Sequence, residues 1–492
     1  MTSAPTIARP ESARRRRPAV PLWPFPAVAA GVIALAGSTT PTLNGDELAT
    51  LSAARRSVSG LWTLAQHIDG HFLPYYLFMH LWQFAGESVL WLRLPSILAV
   101  AVAAGLLTDL GRRVGGPLAG LVAGGLFAVL PSVSYYGAFA RPYAFAAAAV
   151  VWSFWALHRA VAGEGGSQEE HKDERHEGRS GARRTGRWVV YGCSVLLVGC
   201  THLFAVLVLP AHLLLARRTT VVRLVTALAA GSVPALALGV LGYRERHAIS
   251  WIPQRGPDVL LKYPDMVAGA ALPGLLLFAA ALLPLVLLRK RSPWWAYGWL
   301  LLPPLLLLAT SHLLTPVYVD RYLFVAAPAL ALLAALGVTA LPRPVNAVAS
   351  ALVAVAAVGL AVPTHLELRE PNGRFDNLPW AISRIDAEPG DALVYGHSQL
   401  RTGFEYYGGR LPDDVLKLGP DPRPGGFSFD ERPAAPEVFE KHERVWLVWR
   451  GDRKAAARLR RVAEVEAAGF EQARSWHSGD SPGLTVALYT RS

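Results

Sequence analysis

Two adjacent carboxylates, Asp46 and Glu47, follow closely after the first long apolar stretch of the chain. Acidic side chains beside a bilayer are costly to desolvate, so such a pair usually serves proton transfer, ion binding or substrate contact. A structural interpretation is also open, in which Asp46 caps a helix from Leu48 to Arg55 and both charges lie near its positive end. The two interpretations are compatible, because a carboxylate at a helix end can still accept a proton from a hydroxyl group.

Two arginines elsewhere in the chain have side chains whose chemistry complements that of a carboxylate. Arg141 belongs to an aromatic-rich run that ends at Tyr143, and Arg321 is followed by Tyr322. A guanidinium group holds a phosphate through paired hydrogen bonds, so either arginine could bind a lipid phosphate. The alternative for each is an interfacial role, in which Arg141 snorkels to the membrane surface and Arg321 pairs with the neighbouring Asp320.

The run His-Ile-Asp-Gly-His at residues 67–71 contains side chains that metals accept as ligands. Its spacing is loose and its glycine indicates a turn, so we predict surface or substrate-contact roles for these histidines. Cys193 and Cys200 are seven residues apart in an apolar segment, which suits neither a local disulfide nor a zinc pair. We therefore predict no metal site and no cofactor, with a divalent metal at residues 67–71 as the alternative.

The elements that would position these residues are predicted to be membrane-spanning helices. Hydrophobic residues make up 52% of the 492 residues and charged residues 17%, and the apolar residues come in blocks. A bilayer core of roughly 30 Å requires about 20 apolar residues per helix, which is close to the length of these blocks. The sequence thus predicts an α-helical polytopic membrane protein with about eleven transmembrane helices. The predicted spans are 20–38, 91–110, 117–133, 141–161, 188–201, 203–216, 221–242, 267–288, 294–311, 321–341 and 344–363.

Positively charged residues set the predicted orientation, because Lys and Arg favour the cytoplasmic side. The basic run at 14–17 precedes the first span, and no clean cleavage site follows, so this span is interpreted as a retained anchor. The loop 162–187, interpreted as a disordered connector, and the basic residues 289–291 then lie inside, while Asp46 and Arg141 lie outside. We predict a multi-pass plasma-membrane protein with a cytoplasmic N-terminus. Its net charge of +12 needs no nucleic acid, because cytoplasmic loops beside anionic lipid explain most of it.

Two apolar segments do not have the length of a simple span. Residues 72–85 are apolar but number only about 14, and their polar members recur every three or four positions, so we predict an interfacial helix on the outer surface. Residues 188–216 would form a single helix of roughly 44 Å, which is too long for a bilayer. We therefore predict two short helices that turn near Thr201 and His202.

Residues 364–492 differ in character from the preceding chain. They are rich in charged residues, prolines and glycines and contain no long apolar run. They predict a small extracytoplasmic α/β domain without a Gly-rich phosphate loop or metal-spaced cysteines. Its predicted elements are a helix at 380–386, strands at 392–395 and 445–449, a helix at 454–468 and a closing strand at 484–489. The predicted organisation is a cytoplasmic basic tail at 1–19, a transmembrane domain at 20–363 with its first external loop at 39–90, and this soluble domain at 364–492.

Six short motifs occur in the order that is typical of the GT-C glycosyltransferases, and the chain resembles that superfamily. The branch it resembles contains the protein O-mannosyltransferases and aminoarabinose transferases, that is, glycosyltransferase family 39 and its relatives. The resemblance covers roughly residues 20–345 and leaves the C-terminal domain out. The motifs are Asn44-Gly45-Asp46-Glu47, His71-Phe72-Leu73-Pro74-Tyr75-Tyr76, Leu92-Arg93-Leu94-Pro95-Ser96, Ala140-Arg141-Pro142-Tyr143, Thr201-His202-Leu203-Phe204, and Arg321-Tyr322 with Pro328.

The resemblance implies an enzyme that transfers a sugar from a polyprenyl-phosphate donor to an acceptor hydroxyl on the outer membrane face. By that resemblance Asp46 is the general base, with inversion at the sugar carbon, and Glu47 orients the acceptor or supports Asp46. The sugar would be mannose or a related hexose or pentose. The acceptor would be a protein, a lipid or a glycan of the cell envelope.

The same resemblance assigns the remaining site residues to the donor and to substrate contact. Arginine would neutralise the leaving phosphate, so that no cofactor is required. The donor phosphate would be bound by Arg141, Tyr143, Arg321 and Tyr322, and the substrate would be contacted by His71, Tyr75 and His202.

A transporter, a flippase or a non-catalytic binder of a polyprenyl-linked sugar is the alternative function. Transporters often place charges near the bilayer midplane on broken helices and carry paired internal repeats. In this sequence the ionisable residues cluster at the outer ends of the predicted spans, and no repeat is evident. The pattern therefore favours an enzyme.

The substitution Asp46→Asn distinguishes these two classes. A transferase that uses Asp46 as its base should lose turnover and still bind the lipid, because the amide cannot accept the proton. A flippase should keep its flux, since no proton transfer is required. Sugar release and lipid flux, measured on the same preparation in vesicles, provide the comparison.

Overall fold

The computed structural model describes residues 21–165, 174–374, 376–452, 454, 459–479 and 482–491. These residues form a bundle of apolar helices followed by a small domain built on a β-sheet. The predicted tail at 1–19 lies outside the described residues. The helices of the bundle and its loops are α1 (Pro24–Leu35), α2 (Gly45–Ala54), α3 (Val58–Ala65), α4 (Leu73–Trp82), α5 (Val89–Gly115), α6 (Pro117–Val129), α7 (Pro131–Gly137), α8 (Tyr143–Gly165), α9 (Glu174–Thr201), α10 (Val221–Arg244), α11 (Tyr263–Ala268), α12 (Ala271–Leu287), α13 (Trp294–Leu313), α14 (Ala327–Thr339) and α15 (Val345–Glu367).

Each predicted membrane span coincides, over most of its length, with helical backbone. Six helices among the described residues are long and apolar enough to cross a bilayer, and two bent helix pairs would raise that number to eight. Two further apolar helices are shorter, namely α1 and the 3-10 helix Leu203–Leu215. Large apolar side chains are exposed along these helices, as expected where lipid rather than water surrounds them. The chain is thus an α-helical polytopic membrane protein, as the sequence predicted.

A bend between α6 and α7 directs the chain toward the candidate site. The two helices meet at an angle of 64°. The cause is Pro131, which begins α7 and holds the preceding Leu130 in an extended conformation, with φ −64° and ψ 133°. The irregular segment 138–142 that follows α7 carries Arg141 and leads into α8.

Helix α2 carries Asp46 and Glu47, and its N-cap is Asn44. The side-chain oxygen of Asn44 accepts a hydrogen bond from the backbone N–H of Glu47 (3.1 Å), and the Glu47 carboxylate accepts one from the N–H of Asn44 (3.3 Å). This reciprocal arrangement is a capping box. The prediction that Asp46 caps the helix was therefore wrong, because Asn44 already satisfies the free N–H groups of the first turn. Asp46 lies within that turn.

The structure confirms a helix within residues 72–85 and a helix end near Thr201, while the interfacial position of 72–85 stays a prediction. Two predictions are partly wrong, because α9, with 28 residues, is not a short helix and part of the connector 162–187 is helical. Residues 72–85 are helical as α4 with a short 3-10 turn after it, and α9 ends at Thr201 before a new helix begins at Leu203. Disorder was predicted for 162–187, but α8 continues to Gly165 and α9 already begins at Glu174. The spans extend into the connector because an existing helix lengthens without a new nucleation step. Residues 166–173 lie outside the described part of the chain.

The C-terminal domain is a five-stranded mixed sheet with an additional two-stranded ribbon. Its strands are β1 (Ala392–Tyr395), β2 (Asp413–Asp414), β3 (Lys417–Pro422), β4 (Phe429–Glu431), β5 (Arg444–Arg450), β6 (Phe470–His477) and β7 (Leu484–Arg491), and its helices are α16 (Leu378–Ser383), α17 (Leu400–Tyr407), α18 (Pro436–Phe439) and α19 (Arg460–Ala467). The sheet order is β2-β1-β5-β7-β6, and β3 pairs with β4. β1 runs parallel to β2 and β5, whereas β7 is antiparallel to both of its neighbours. The three predicted strands are confirmed, and the predicted helix at 380–386 appears as α16. The predicted helix at 454–468 appears as α19 over residues 460–467, and residues 455–458 lie outside the described part of the chain.

One face of this sheet shares a hydrophobic core with the first loop of the bundle. Successive side chains of a strand point to opposite faces, so Leu393 and Tyr395 lie on one face of β1 and Val394 on the other. The first face packs into a single buried cluster with Leu48 of α2, whereas the second packs against Phe439 of α18. The C-terminal domain is therefore packed against the helix that carries Asp46.

Polar contacts tie the same domain to the start of α2. Arg450 of β5 makes two hydrogen bonds to the carboxylate of Asp376, at 3.0 and 2.6 Å. Asp376 also accepts the backbone N–H of Gly45, the first residue of α2, at 3.2 Å. The hydroxyl of Tyr407 accepts the N–H of Leu43 at 2.7 Å. The C-terminal domain thus fixes the backbone from which Asp46 projects.

Removal of the Arg450 guanidinium should loosen the start of α2. Arg450→Ala deletes both bonds to Asp376, whose side chain is only 6% exposed, and leaves that carboxylate without its cation. The loss should cost about 1–3 kcal/mol. We expect faster amide hydrogen exchange in residues 42–48 and a lower melting temperature of the purified protein. Arg474→Ala, an exposed position on β6, is the control. Unchanged exchange in residues 42–48 of Arg450→Ala would contradict the expectation.

Candidate active site

Glu47 is completely buried and forms a two-bond ion pair with Arg93, near the start of α5. Its two oxygens accept hydrogen bonds from Nε and Nη2 of Arg93, each at 2.7 Å. One oxygen also accepts the backbone N–H of Ala140 at 3.0 Å, and the other accepts that of Asn44. Glu47 therefore joins α2, α5 and the segment that carries Arg141.

Arg93 also organises the loop that precedes α2. Its Nη1 donates to the carbonyl oxygen of Ser38 and, at 2.9 Å, to that of Pro41, and its Nη2 donates to that of Thr42 at 3.1 Å. The side chain of Arg93 is fully buried. Sequence reasoning assigned Arg93 no role, although it stands in one of the six motifs. The available signal was a charged residue inside a predicted span, which is rarely there without a partner.

The environment of Glu47 keeps its carboxylate charged. Burial raises the pKa of Glu47, but the adjacent Arg93 guanidinium and its hydrogen bonds outweigh burial, so that the pKa lies below the ordinary value. Both oxygens of this buried, charged carboxylate already accept hydrogen bonds from the protein, so neither is free to bind the hydroxyl of an acceptor substrate. Of the two roles predicted for Glu47, the geometry favours support of Asp46 over orientation of the acceptor.

Asp46 is partly exposed and faces Arg321, which is 275 residues away in the chain. Its Oδ2 lies 3.0 Å from Nη1 of Arg321, and 36% of the Asp46 side chain and 23% of the Arg321 side chain are exposed. The guanidinium also lies over the rings of Trp251, at 5.2 Å, and Tyr322, at 5.9 Å. Its Nε is buried and has no hydrogen-bond partner among the described residues. Both members of this pair thus keep bonding capacity for a ligand.

Arg141 is almost completely buried beside the ring of Phe72, whose centre is 4.4 Å from the guanidinium carbon. Its Nη1 donates to the hydroxyl of Tyr76 at 2.8 Å, and that hydroxyl donates to Oδ2 of Asp69 at 2.6 Å. The same Asp69 oxygen lies 3.6 Å from Nη2 of Arg141. Nε of Arg141 has no partner in the described part of the chain. The guanidinium is therefore held rigidly, with one donor left open.

Four of the other predicted site residues, His71, Tyr143, His202 and Tyr322, form an aromatic wall between the two arginines. The ring of His202 lies 5.3 Å from that of Tyr143, 4.9 Å from that of Tyr322 and 6.0 Å from that of His71. Nε2 of both histidines and the hydroxyl of Tyr75 are buried without a hydrogen-bond partner among the described residues. Buried polar atoms without partners are rare in proteins. Their concentration here indicates a place where a polar ligand binds.

The run at 67–71 does not converge on a common point. Nδ1 of His67 lies 2.8 Å from the carbonyl oxygen of Thr63. Asp69 instead accepts a hydrogen bond from the Tyr76 hydroxyl and forms an ion pair with Arg141. Within the described residues no group of three or more His, Cys, Asp or Glu side chains could hold a metal ion. Sequence reasoning considered Asp69 only as a metal ligand and missed its contact with Arg141.

His71 is uncharged at neutral pH in this environment. Burial lowers its pKa to about 4, although the nearby Asp69 carboxylate opposes that shift. The imidazole can therefore exchange hydrogen bonds with a ligand but offers no positive charge to a phosphate. The fixed positive charges of the site are those of Arg141 and Arg321.

The two adjacent carboxylates should respond differently to neutralisation. Glu47→Gln breaks a fully buried ion pair and leaves Arg93 without its counter-ion, which should cost about 3–5 kcal/mol. Asp46→Asn changes a partly exposed pair and should cost less than about 1 kcal/mol. Melting temperatures of both variants in the same detergent measure the difference. Equal stability of the two variants, with turnover lost in Glu47→Gln, would assign Glu47 a direct role in the chemistry instead.

Solved structures resemble this chain over nearly its full length. The crystal structure of ArnT from Cupriavidus metallidurans bound to undecaprenyl phosphate aligns with a TM-score of 0.59 at 16% identity, covering 94% of this chain and 97% of that chain. The same protein in the apo state aligns with a TM-score of 0.58. The Archaeoglobus fulgidus oligosaccharyltransferase tethered with an acceptor peptide aligns with a TM-score of 0.47 at 13% identity, covering 95% of this chain and 74% of that chain. No protein-family model and no curated protein matches the sequence.

Similarity at this level of identity concerns the fold. The alignment with ArnT includes the helical bundle and the C-terminal domain, because almost the whole of each chain takes part. The chain therefore has the GT-C fold that its ordered motifs predicted.

Proposed function

We propose that this protein is a membrane-embedded glycosyltransferase that moves a sugar from a polyprenyl-phosphate donor to an acceptor hydroxyl. The observation that carries the proposal is the pair of Asp46 and Arg321, in which a partly exposed carboxylate lies 3.0 Å from a partly exposed guanidinium. One member suits proton removal from a hydroxyl, and the other suits a phosphate. The fold supports the donor class, since the similar ArnT structure is bound to undecaprenyl phosphate.

In the proposed reaction Asp46 is the general base. It takes the proton of the acceptor hydroxyl while that oxygen forms a bond to the anomeric carbon of the sugar, from the face opposite the phosphate. The bond between the anomeric carbon and the phosphate oxygen breaks, and its electron pair stays on the phosphate. The anomeric configuration is therefore inverted. Arg321 and Arg141 stabilise the charge that develops on the leaving polyprenyl phosphate.

Without a donor, Arg321 is hydrogen-bonded to Asp46, the carboxylate that has to act as the base. A donor phosphate competes with Asp46 for the same guanidinium, because both are anionic oxygen ligands of Arg321. Donor binding therefore draws Arg321 away and leaves the Asp46 oxygen to the acceptor hydroxyl. The donor binds first in this scheme, and the acceptor meets an activated base.

Arg141 supplies a second cation that does not have to move. Its contacts with Tyr76, Asp69 and Phe72 hold the guanidinium before any ligand arrives. Preorganised charge of this kind needs no rearrangement during the reaction. The unpartnered Nε2 atoms of His71 and His202 then serve as polar contacts to the sugar or phosphate, next to Tyr143 and Tyr322.

An apolar groove offers a place for the polyprenyl tail. It measures about 930 Å³ and lies between the 3-10 helix Leu203–Leu215 and α10. Tyr243 and Arg244 lie at one end of the groove. Gly242 lies beside both Leu203 and His71, so this end of the groove adjoins the aromatic wall. A hydrocarbon chain in the groove would place its phosphate within reach of the site.

The proposed location is the plasma membrane, with the site and the C-terminal domain on the extracytoplasmic face. The basic residues of the chain support this orientation. Arg112 and Arg113 lie in the last turn of α5, whose first turns carry the Arg93 that pairs with Glu47. The segment 289–291 likewise precedes α13, whose other end leads to Arg321. The acceptor is accordingly a hydroxyl of a protein, lipid or glycan of the cell envelope, and the sugar is mannose or a related hexose or pentose.

Incubation of the purified full-length protein with a panel of radiolabelled polyprenyl-phosphate sugars tests the activity. We expect release of polyprenyl phosphate from at least one donor, and none from Asp46→Asn. Asp258→Asn, an exposed carboxylate in the loop after α10, is the control and should turn over like the wild type. If a broad panel yields no product and Asp46→Asn behaves like the wild type, the protein is not a transferase.

Binding of polyprenyl phosphate tests the competition for Arg321. Asp46→Asn should bind the lipid a few-fold more tightly than the wild type, because a partly exposed ion pair that opposes binding is worth about 1 kcal/mol or less. Arg321→Ala should bind it more weakly, and Arg321→Lys should recover only part of the affinity because it cannot make two parallel bonds. Weaker binding by Asp46→Asn would exclude the competition.

A further inference from the structure

Glu245 is a buried carboxylate that the proposed reaction does not use directly. It follows the last residue of α10, and only 8% of its surface is exposed. Both of its oxygens accept the backbone N–H of Gly70, at 2.8 and 3.1 Å, across 175 residues of sequence. This contact joins the end of α10 to the turn at residues 69–71.

The turn at residues 69–71 is shaped for this contact. Asp69 has a left-handed backbone conformation, with φ 57°, which is uncommon for a residue other than glycine. A Cβ atom at Gly70 would collide with the carbonyl oxygen of Ala65 and with the carboxylate of Glu245. Glu245 can therefore approach the backbone this closely only because residue 70 is glycine.

The same turn sets the position of the groups that hold Arg141. The Asp69 carboxylate accepts the Tyr76 hydroxyl and lies 3.6 Å from the Arg141 guanidinium. His71, whose unpartnered Nε2 belongs to the aromatic wall, follows Gly70 directly. A shift of the turn would therefore move Asp69 and His71 directly, and Arg141 through its contact with Asp69.

We propose that Glu245 is a positioning residue of the donor-phosphate site, which holds the N–H of Gly70 and thereby fixes Asp69 and Arg141. This inference rests on the proposed function for the identity of the ligand. Glu245 acts through the turn and has no contact of its own with Arg141 or Asp46.

Closure of the turn by Glu245 depends on pH. The pKa of Glu245 is raised to about 7, chiefly by burial and further by the nearby Asp69 charge. The hydrogen bond from the Gly70 N–H and the nearby His67 lower the pKa and offset part of this shift. Among the described side chains of the turn and the adjoining chain, the further titratable groups are those of His71, Arg244 and His247. The pKa in the closed turn lies above the 4.5 of an exposed glutamate, so the closed turn binds the proton more tightly than an opened one. Closure is accordingly strongest below pH 4.5 and weakens as the pH rises to about 7.

Amide hydrogen exchange of residues 66–72 in the ligand-free full-length protein measures closure of the turn. The wild type should lose protection by about tenfold or more between pH 5 and pH 8, after correction for the intrinsic exchange rate. Glu245→Gln, which keeps an uncharged acceptor for Gly70, should stay protected with no such pH dependence. Glu245→Ala and Gly70→Ala should be unprotected at every pH, and the control Asp258→Ala should follow the wild type.

Binding of a polyprenyl monophosphate in detergent at pH 6 measures the consequence for the site. Glu245→Ala should raise the Kd roughly tenfold, as expected for a displaced charge-assisted contact, whereas Glu245→Gln should stay within about twofold of the wild type. Normal protection of residues 66–72 in Glu245→Ala, or lost protection with an unchanged Kd, would overturn the inference. If the wild type binds no polyprenyl phosphate and consumes no donor, the proposed function fails first, and the exchange data still decide whether Glu245 holds the turn.

Discussion

The buried ion pair between Glu47 and Arg93 is the interaction on which the rest of the candidate site depends. Arg93 donates hydrogen bonds to three carbonyl oxygens of the loop before α2, and Glu47 accepts one from the backbone N–H of Ala140. Because Ala140 precedes Arg141, one carboxylate fixes both the helix that carries Asp46 and the backbone that carries Arg141. A buried pair of this kind contributes little net stability compared with an apolar substitute, but removal of one partner is strongly destabilising. Its value to this protein lies in geometry, since it brings a carboxylate and two arginines to one end of the helical bundle.

Asp46 and Glu47 have nearly the same chemistry and different environments, and the helix geometry explains the difference. Successive residues of an α-helix are separated by about 100°, so two neighbours cannot face the same surroundings. With Glu47 turned into the protein toward Arg93, Asp46 is turned toward Arg321 and stays partly exposed. The capping box at Asn44 fixes this rotation, because it sets the residue at which the helix begins. The C-terminal domain reinforces it through Asp376, which holds the N–H of Gly45.

The sequence predicted the helical bundle well, because a bilayer imposes a length and an apolar composition on every span. It also predicted the neighbourhood of Asp46, Arg141 and Arg321, through motifs whose order matched a known fold. It could not predict that Glu47 pairs with Arg93 or that the Gly70 N–H donates a hydrogen bond to Glu245. Such partners are brought together by tertiary packing, which spacing along the chain does not show. The shared core between β1 and α2 was missed for a related reason. An apolar pattern shows that a face is covered, but it does not show which other face covers it.

The charges of the site suit the proposed reaction step by step. Arg141 is buried and Arg321 is partly exposed, and either guanidinium group would be costly to hold without a counter-ion. Asp69 and Asp46 neutralise these two charges before a donor arrives. During transfer the phosphate gains negative charge, and Asp46 loses its own charge when it accepts the acceptor proton. Arg321, which donor binding has already drawn from Asp46 toward the phosphate, is held there more strongly as the negative charge on the leaving phosphate rises. Asp69 has no part in proton transfer and keeps its charge, so Arg141 stays in place throughout. Arg321 thus stabilises the charge that develops on the phosphate, while Arg141 supplies a positive charge whose position does not change during the reaction.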